Sequence, residues 1–208
     1  MNGAGVSAAV CALFRRLLGL PGLPPAARLR LVSAPPGQYP RALWQVWMPR
    51  SSSVYMVAYT TSGFVVHVDA ANLYRAWRAS AEREGLPHPV SRRQMRRDRK
   101  FHLAVESFLA GAGSPVPLAY VTARVDCSGR TAVSFVDGVT RTYWLLANGA
   151  ASFPVWTPTR EEAGLLHQVA GLGDGPIPVA DLYLDGPGAK ADRADCLSQP
   201  RTSIRSHQ

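Results

Sequence analysis

The sequence predicts a mixed α/β (α+β) domain, a small mixed sheet with flanking helices. Three observations carry that expectation. Hydrophobic residues make up 47% of a 208-residue chain, enough for one sizeable core. From Leu43 to Val169, apolar runs of strand length alternate with runs whose apolar residues recur at three and four. Within this span, Val133–Trp156 reads as strand, tight turn, helix, strand in one short segment. The expected organisation is an N-terminal extension and linker over residues 1–40, a single domain over 41–185 and a disordered tail over 186–208.

The elements follow in order. Val6 to Leu20 is mostly apolar but carries Arg15 and Arg16 in its middle, the wrong order for a signal peptide and closer to an amphipathic surface helix. Ala26 to Val32 is short and basic, and Ser33 to Pro40 is rich in Pro and Gly, so the compact domain is expected to begin near Ala42. Leu43 to Met48 predicts a strand buried on both sides. Val54–Tyr59 and Phe64–Val68, separated by Thr60–Gly63, predict a hairpin. Asp69 predicts an N-cap for a helix running to about Glu84, with Leu73, Ala76 and Trp77 on its apolar face and Gly85, Pro87 and Pro89 to end it. Ser91 predicts the cap of a second helix, whose apolar face is Phe101, Ala104, Val105 and Phe108 and which Gly111 and Gly113 close.

That second helix has an unusual first half. Arg92, Arg93, Arg96, Arg97, Arg99 and Lys100 crowd it, with Asp98 alone to offset them. Positive charge at a helix N-terminus opposes the macrodipole by about 0.3–1 kcal/mol per charge. Such a run is either a solvated charged face or a patch for an anionic partner. Ser114 to Ala119 is stiff and extended and leads into a strand over Tyr120 to Val125. Cys127 to Arg130 is a turn. Past Val133–Trp156, Thr157 or Thr159 caps a helix with Glu161 and Glu162 in its first turn and Leu165, Leu166 and Val169 buried. Ile177 to Leu184 predicts one last docked piece.

Charge narrows the partners. The formal net charge of +9 favours polyanions: nucleic acid, nucleotides or an anionic surface. Cys11, Cys127 and Cys196 are too few and too far apart for a disulfide framework or a structural zinc site, and suit a reducing compartment. No run is long and apolar enough to span a bilayer. A reducing cytoplasm is the expected location, with peripheral contact at the inner face of the membrane left open.

The sharpest candidate for chemistry is Asp137-Gly138-Val139-Thr140-Arg141. A helix N-terminus presents backbone N–H groups to an anion, Gly138 permits close approach, Thr140 adds a hydroxyl and Arg141 a bidentate phosphate partner. The competing reading is an ordinary strand-to-helix turn in which Asp137 caps Thr140 and Arg141 is solvated. There is no Walker motif and no P-loop Lys.

The stretch VDGVTRTYWLLANGAASFPV resembles the strand–GxxR–helix–strand box of the ParB/sulfiredoxin superfamily, which binds nucleotide phosphate on this turn; Gly138 and Arg141 match it. Val139 and Thr140 replace the Cys and His that sulfiredoxins place before the Arg, which argues against sulfinic acid reduction. RRDRKF (Arg96 to Phe101), AVESF with Glu106, SPVPLA (Ser114 to Ala119), DGVTRTYWLLANGA (Asp137 to Ala150) and FPV (Phe153 to Val155) together resemble the plasmid fertility-inhibition factors over about residues 42–170. That resemblance implies a ParB/sulfiredoxin-like fold, ATP hydrolysis and DNA cleavage. It further implies a block on transfer by another conjugation system, at or near its type IV secretion coupling protein. On that basis Gly138, Thr140, Arg141 and Lys100 are candidates to bind ATP, and Arg141, Glu106 and Asp137 to act in catalysis, with Asp98 as a further acidic ligand or base and a divalent metal such as magnesium assisting. Arg93, Arg96, Arg97, Arg99 and Lys100 are candidates for the DNA backbone. Glu106 could instead pair with His102 one helical turn away. Two rival functions stay open: a non-enzymatic inhibitor docked on the coupling protein, and a DNA-binding regulator.

Overall fold

The computed structural model describes residues 28–32, 41–49, 53–86 and 89–184. The N-terminal helix and the tail expected from the sequence lie outside these residues, as do Cys11 and Cys196. The strands are β1 (Arg28–Val32), β2 (Arg41–Val46), β3 (Val54–Ala58), β4 (Phe64–Asp69), β5 (Val116–Pro117), β6 (Ala119–Val125), β7 (Thr131–Asp137), β8 (Ser152–Thr157) and β9 (Ile177–Pro178). The helices are α1 (Ala70–Glu84), α2 (Arg92–Met95), α3 (Phe101–Leu109), α4 (Val139–Ala147), α5 (Arg160–Ala170) and α6 (Asp181–Leu184).

The mixed α/β class is as expected, but the strands form two small mixed sheets where the sequence suggested one. The first has the order β1-β2-β3-β5 and the second β7-β6-β8-β4-β9. Both mix directions: β3 runs parallel to β5 and β6 parallel to β8, while the other neighbours are antiparallel. The basic segment expected to precede the domain is β1, in register with β2 from Arg28↔Gln45 to Val32↔Arg41.

The expected hairpin of β3 and β4 does not form, because the two strands belong to different sheets. Instead β3 pairs back onto β2, and β4 pairs with β8 over its full length, from Phe64↔Thr157 to Asp69↔Ser152. Thr60–Gly63 redirects the chain rather than reversing it. The Trp156 indole Nε1 donates to Ser62 O at 2.9 Å. Gly63, at φ +81°, lies so close to Trp156 that a Cβ there would fall 2.6 Å from that ring. Val65, Val66 and Val68 are all fully buried, so β4 needs cover on both faces, which a central position supplies and a hairpin edge does not.

The Arg-rich segment also departs from expectation. It is two helices, α2 and α3, joined by a turn, and not one. Gln94 Oε1 accepts from Ser91 N and Oγ at 3.2 and 2.7 Å, holding the start of α2. Arg97 N and Asp98 N then bond back three residues, to Gln94 O and Met95 O, the tightening that ends a helix. Asp98 opens the next element by accepting from Lys100 N at 2.9 Å through its side chain and from Phe101 N at 3.0 Å through its backbone. Most of the arginines therefore sit on a turn, where the macrodipole cost is small.

Other expectations hold. Asp69 caps α1 by accepting from Asn72 N at 2.8 Å, and Gly85 closes it at φ +64°. Thr159 caps α5 by accepting from Glu162 N at 3.2 Å. Helix α4 is the centre of the fold: Thr142 through Leu146 are all buried. Trp144 stacks on Phe108 of α3 at 4.3 Å between ring centroids, and Tyr143 stacks on Trp77 of α1 at 5.6 Å. A helix buried on all sides is fixed by its neighbours, so its N-terminus is held in place.

Candidate functional site

Strand β7 ends at Asp137 and α4 begins at Val139, with Gly138 between them at φ +92°. A left-handed residue is required to turn the chain this sharply, and glycine adopts it without penalty. There is also no room for a side chain: a Cβ at Gly138 would lie 2.7 Å from both Ala119 Cα and Ala119 Cβ. No side chain caps α4, and its first intrahelical bond is Thr142 N to Gly138 O at 3.0 Å. The preceding N–H groups, those of Val139, Thr140 and Arg141, are left for an outside acceptor. Asp137 does not supply one; its Oδ2 accepts from Arg141 Nη2 at 2.7 Å instead.

This turn forms one wall of an open cleft of ≈ 380 Å³. Val116 and Pro117 of β5 form the floor, and Lys100, Leu103, Ala104 and Ser107 the opposite wall. These four are spaced at i, i+3, i+4 and i+7, one face of a helix. Lys100 is exposed, and among the described residues no acidic side chain pairs with its ammonium. Thr140 Oγ1 lies 3.5 Å from Asp98 Oδ1, which also accepts from Lys100 N, so Asp98 ties the two walls together. The cleft thus pairs the positive end of a helix with the Lys100 ammonium, an arrangement suited to an anion.

Arg141 serves the cleft differently from a free phosphate hook. Its Nη1 donates to Pro117 O at 2.9 Å and Leu118 O at 3.0 Å while Nη2 holds Asp137. Three of the five guanidinium N–H donors are thereby committed within the protein. The side chain is 19% exposed against 69% for Asp137. Arg141 straps the β7–α4 turn to the β5–β6 chain, with one Nη2 hydrogen and Nε–H left over.

Of the residues singled out in the sequence, Lys100, Asp137, Gly138, Thr140 and Arg141 line the cleft, and Asp98 touches it through Thr140. Glu106 is exposed on α3 but is not part of the cleft lining, and no pairing with His102 forms. Arg93, Arg97 and Arg99 are exposed on α2 and the turn after it. Arg96 is also exposed, but its Nη2 donates to Ala147 O at 2.7 Å, closing the C-terminal end of α4. Leu103, Ser107, Val116, Pro117 and Val136 were not anticipated. The helical spacing from Lys100 was the signal that could have found the first two.

Among the described residues, no three His, Cys, Asp or Glu side chains gather as a metal site. Magnesium commonly takes one or two carboxylates and completes its shell with water and substrate phosphate. Asp137 could serve a divalent cation in that way, alongside the phosphate oxygens of a bound nucleotide. Cys127 is free and exposed. None of the helices in the described residues is long and apolar enough to cross a membrane.

Fold and cleft together define a mixed α/β domain with an anion-suited pocket at a central helix start. The family model of plasmid fertility inhibition factors matches residues 65–171, a span that holds α1 through α5. Protein osa of Shigella flexneri is 34% identical over 163 residues, covering 77% of this chain and 82% of that protein. The crystal structure of an oncogenic suppression activity protein, described as a plasmid fertility inhibition factor, is 32% identical and superposes with a TM-score of 0.66, covering 88% of this chain and 91% of the other. The chain belongs to the plasmid fertility inhibition factor family.

Proposed function

We propose that the chain blocks conjugative DNA transfer enzymatically, by ATP hydrolysis and DNA cleavage near a type IV secretion coupling protein in the cytoplasm, with the α3–β5–α4 cleft as its phosphate site. The observation that carries this reading is the uncapped start of α4 facing Lys100 across the cleft. In this reading the N–H groups of Val139 and Thr140 and the Lys100 ammonium hold the non-bridging oxygens of a phosphate. The Thr140 hydroxyl donates to the same group or to Asp98. Arg141 keeps the turn in place and offers its uncommitted Nη2–H to developing negative charge. Asp137 Oδ1, opposite the oxygen held by Arg141, accepts the proton of a water as its oxygen bonds to phosphorus and the bond from phosphorus to the leaving oxygen, of ADP or of the cut DNA strand, breaks. A magnesium ion bound beside Asp137 would neutralise phosphate charge. Arg93, Arg97 and Arg99, beside Lys100 in sequence, hold the DNA backbone.

The test is purified full-length protein incubated with magnesium, ATP and plasmid DNA. Turnover of both, falling about a hundredfold in Lys100→Ala as for the loss of one charge-stabilising donor, supports the reading. Unchanged turnover in that variant rejects the site.

Two observations favour the rival non-enzymatic reading, in which the protein docks on the coupling protein and obstructs it. Arg141 is largely consumed by structural bonds and Glu106 stands outside the cleft. Blocked transfer in cells by a protein with neither activity in vitro would decide for that reading.

A further inference from the structure

The cleft does not end at Pro117. A second, smaller groove of ≈ 160 Å³ shares a lining residue with it, Pro117. Leu118, whose carbonyl receives Arg141 Nη1, also lines the second groove. The groove is walled by Ala58, Tyr59, Thr60 and Trp156 and is mostly apolar. Its two rings are presented differently. Tyr59 is 62% exposed, with its hydroxyl 3.4 Å from Pro115 O. Trp156 is half-buried and immobilised: Nε1 is bonded to Ser62 O, Gly63 presses on one side, and Tyr120 meets it edge-on at 4.7 Å. A pinned indole beside an exposed phenol is a preorganised apolar surface that costs little entropy to use.

Resting on the cleft as a phosphate site, we infer that this groove is a stacking subsite for one unpaired base of single-stranded DNA whose backbone phosphate occupies the cleft. Size, placement and charge each point there. The volume is well below the about 300–1,000 Å³ of a drug-sized ligand site, so it suits one ring system and not a whole ligand. A base and its own backbone phosphate are adjacent in a nucleotide, and the two grooves meet at a shared residue, Pro117. The exposed cations Arg97, Arg99 and Lys100 lead a polyanion to the cleft wall. Aromatic faces set beside a basic groove hold single strands without reading sequence. A base within a duplex has both faces covered and cannot enter.

The test compares a fluorescent oligothymidylate, a length-matched abasic strand and a duplex, each titrated at low salt with full-length protein and no divalent metal. The expected result is about tenfold tighter binding of oligothymidylate than of the abasic strand, within the range for one base stacked on an aromatic ring. Tyr59→Ala should abolish that preference while leaving abasic and duplex affinities unchanged, and Tyr59→Phe should keep it. Lys100→Ala should weaken all three alike. Equal wild-type affinity for the thymidylate and abasic strands overturns the groove and leaves the cleft standing. Equal loss on every strand in Tyr59→Ala also overturns the groove. Binding of none of the three by the wild type overturns groove and cleft together.

Discussion

Replacing Gly138 with alanine tests whether the cleft is built by the turn at the start of α4. Two costs add at this position. A non-glycine residue held at φ +92° carries backbone strain of about 1–3 kcal/mol. Its Cβ would also sit 2.7 Å from Ala119 Cα, a backbone atom that cannot swing aside, and 3.2 Å from Arg141 Nε. Forcing that contact apart moves β6 or the turn, at about 1–3 kcal/mol more. The sum of about 2–6 kcal/mol is a large part of a typical stability of about 5–15 kcal/mol, and lowers Tm by about 5–20 °C for a domain of this size. Gly85 supplies the internal control. It is also left-handed, at φ +64°, but a Cβ there meets nothing within 4 Å, so Gly85→Ala should show only the strain cost. Thermal unfolding followed by circular dichroism on both variants measures the difference. Equal shifts would refute the steric argument, and a Gly138→Ala protein melting with the wild type would refute the turn geometry itself.

Further outcomes follow from the same contacts. Arg141→Lys should destabilise almost as much as Arg141→Ala, by about 1–3 kcal/mol, because an ammonium cannot span the Pro117 and Leu118 carbonyls and Asp137 at once; denaturant midpoints compare them, and full stability in the Lys variant would count against the strap. Ser80→Ala should cost about 1–3 kcal/mol in the same assay, since Ser80 Oγ is the acceptor for the buried Val133 N–H at 2.8 Å. Stability should fall with acid in two windows. Burial lowers the His67 pKa from 6.5, so the neutral form is favoured in the fold and stability declines as pH drops below about 6.5. The Ser128 hydroxyl, then the Arg130 backbone N–H and Arg83, hold Asp126 well below the usual carboxylate range despite an opposing desolvation effect. Its contribution is present above the ordinary value of 3.8 and is lost as pH falls below it. Asp126→Asn should flatten the lower window alone, and urea midpoints from neutral to acidic pH would show whether it does.

Much of this fold was legible because the signals were local. Asp69, Gly85, Thr159 and the Asp137-Gly138 turn each act within a few residues of themselves, so their residue types name the boundary. What sequence could not show was the choice of sheet. Phe64–Val68 is a strand by composition, but its partner β8 lies far along the chain and is selected by burial on both faces and by Trp156 fastening the preceding turn. The Arg-rich segment misled for a related reason: the Ser91 cap was joined to the apolar face that starts at Phe101, while the break depends on the backbone bonds of Arg97 and Asp98 and on the Asp98 side chain. At the site, the turn residues were readable from their spacing. The wall from Lys100 to Ser107 was half visible as a helical face. Pro117 was not, because it becomes a floor only when β5 docks beside β3. Arg141 was legible as a residue of consequence, but its commitment to two carbonyls is a tertiary fact.

The central claim is that fertility inhibition runs through the cleft. Mating assays from donors expressing the wild type, Lys100→Ala or Thr140→Val, with folded protein levels matched, test it most directly. The account predicts that wild type suppresses plasmid transfer and that Lys100→Ala releases it, with Thr140→Val intermediate because the backbone N–H groups remain. Full suppression by Lys100→Ala would contradict it and move the inhibitory function to a surface away from the start of α4.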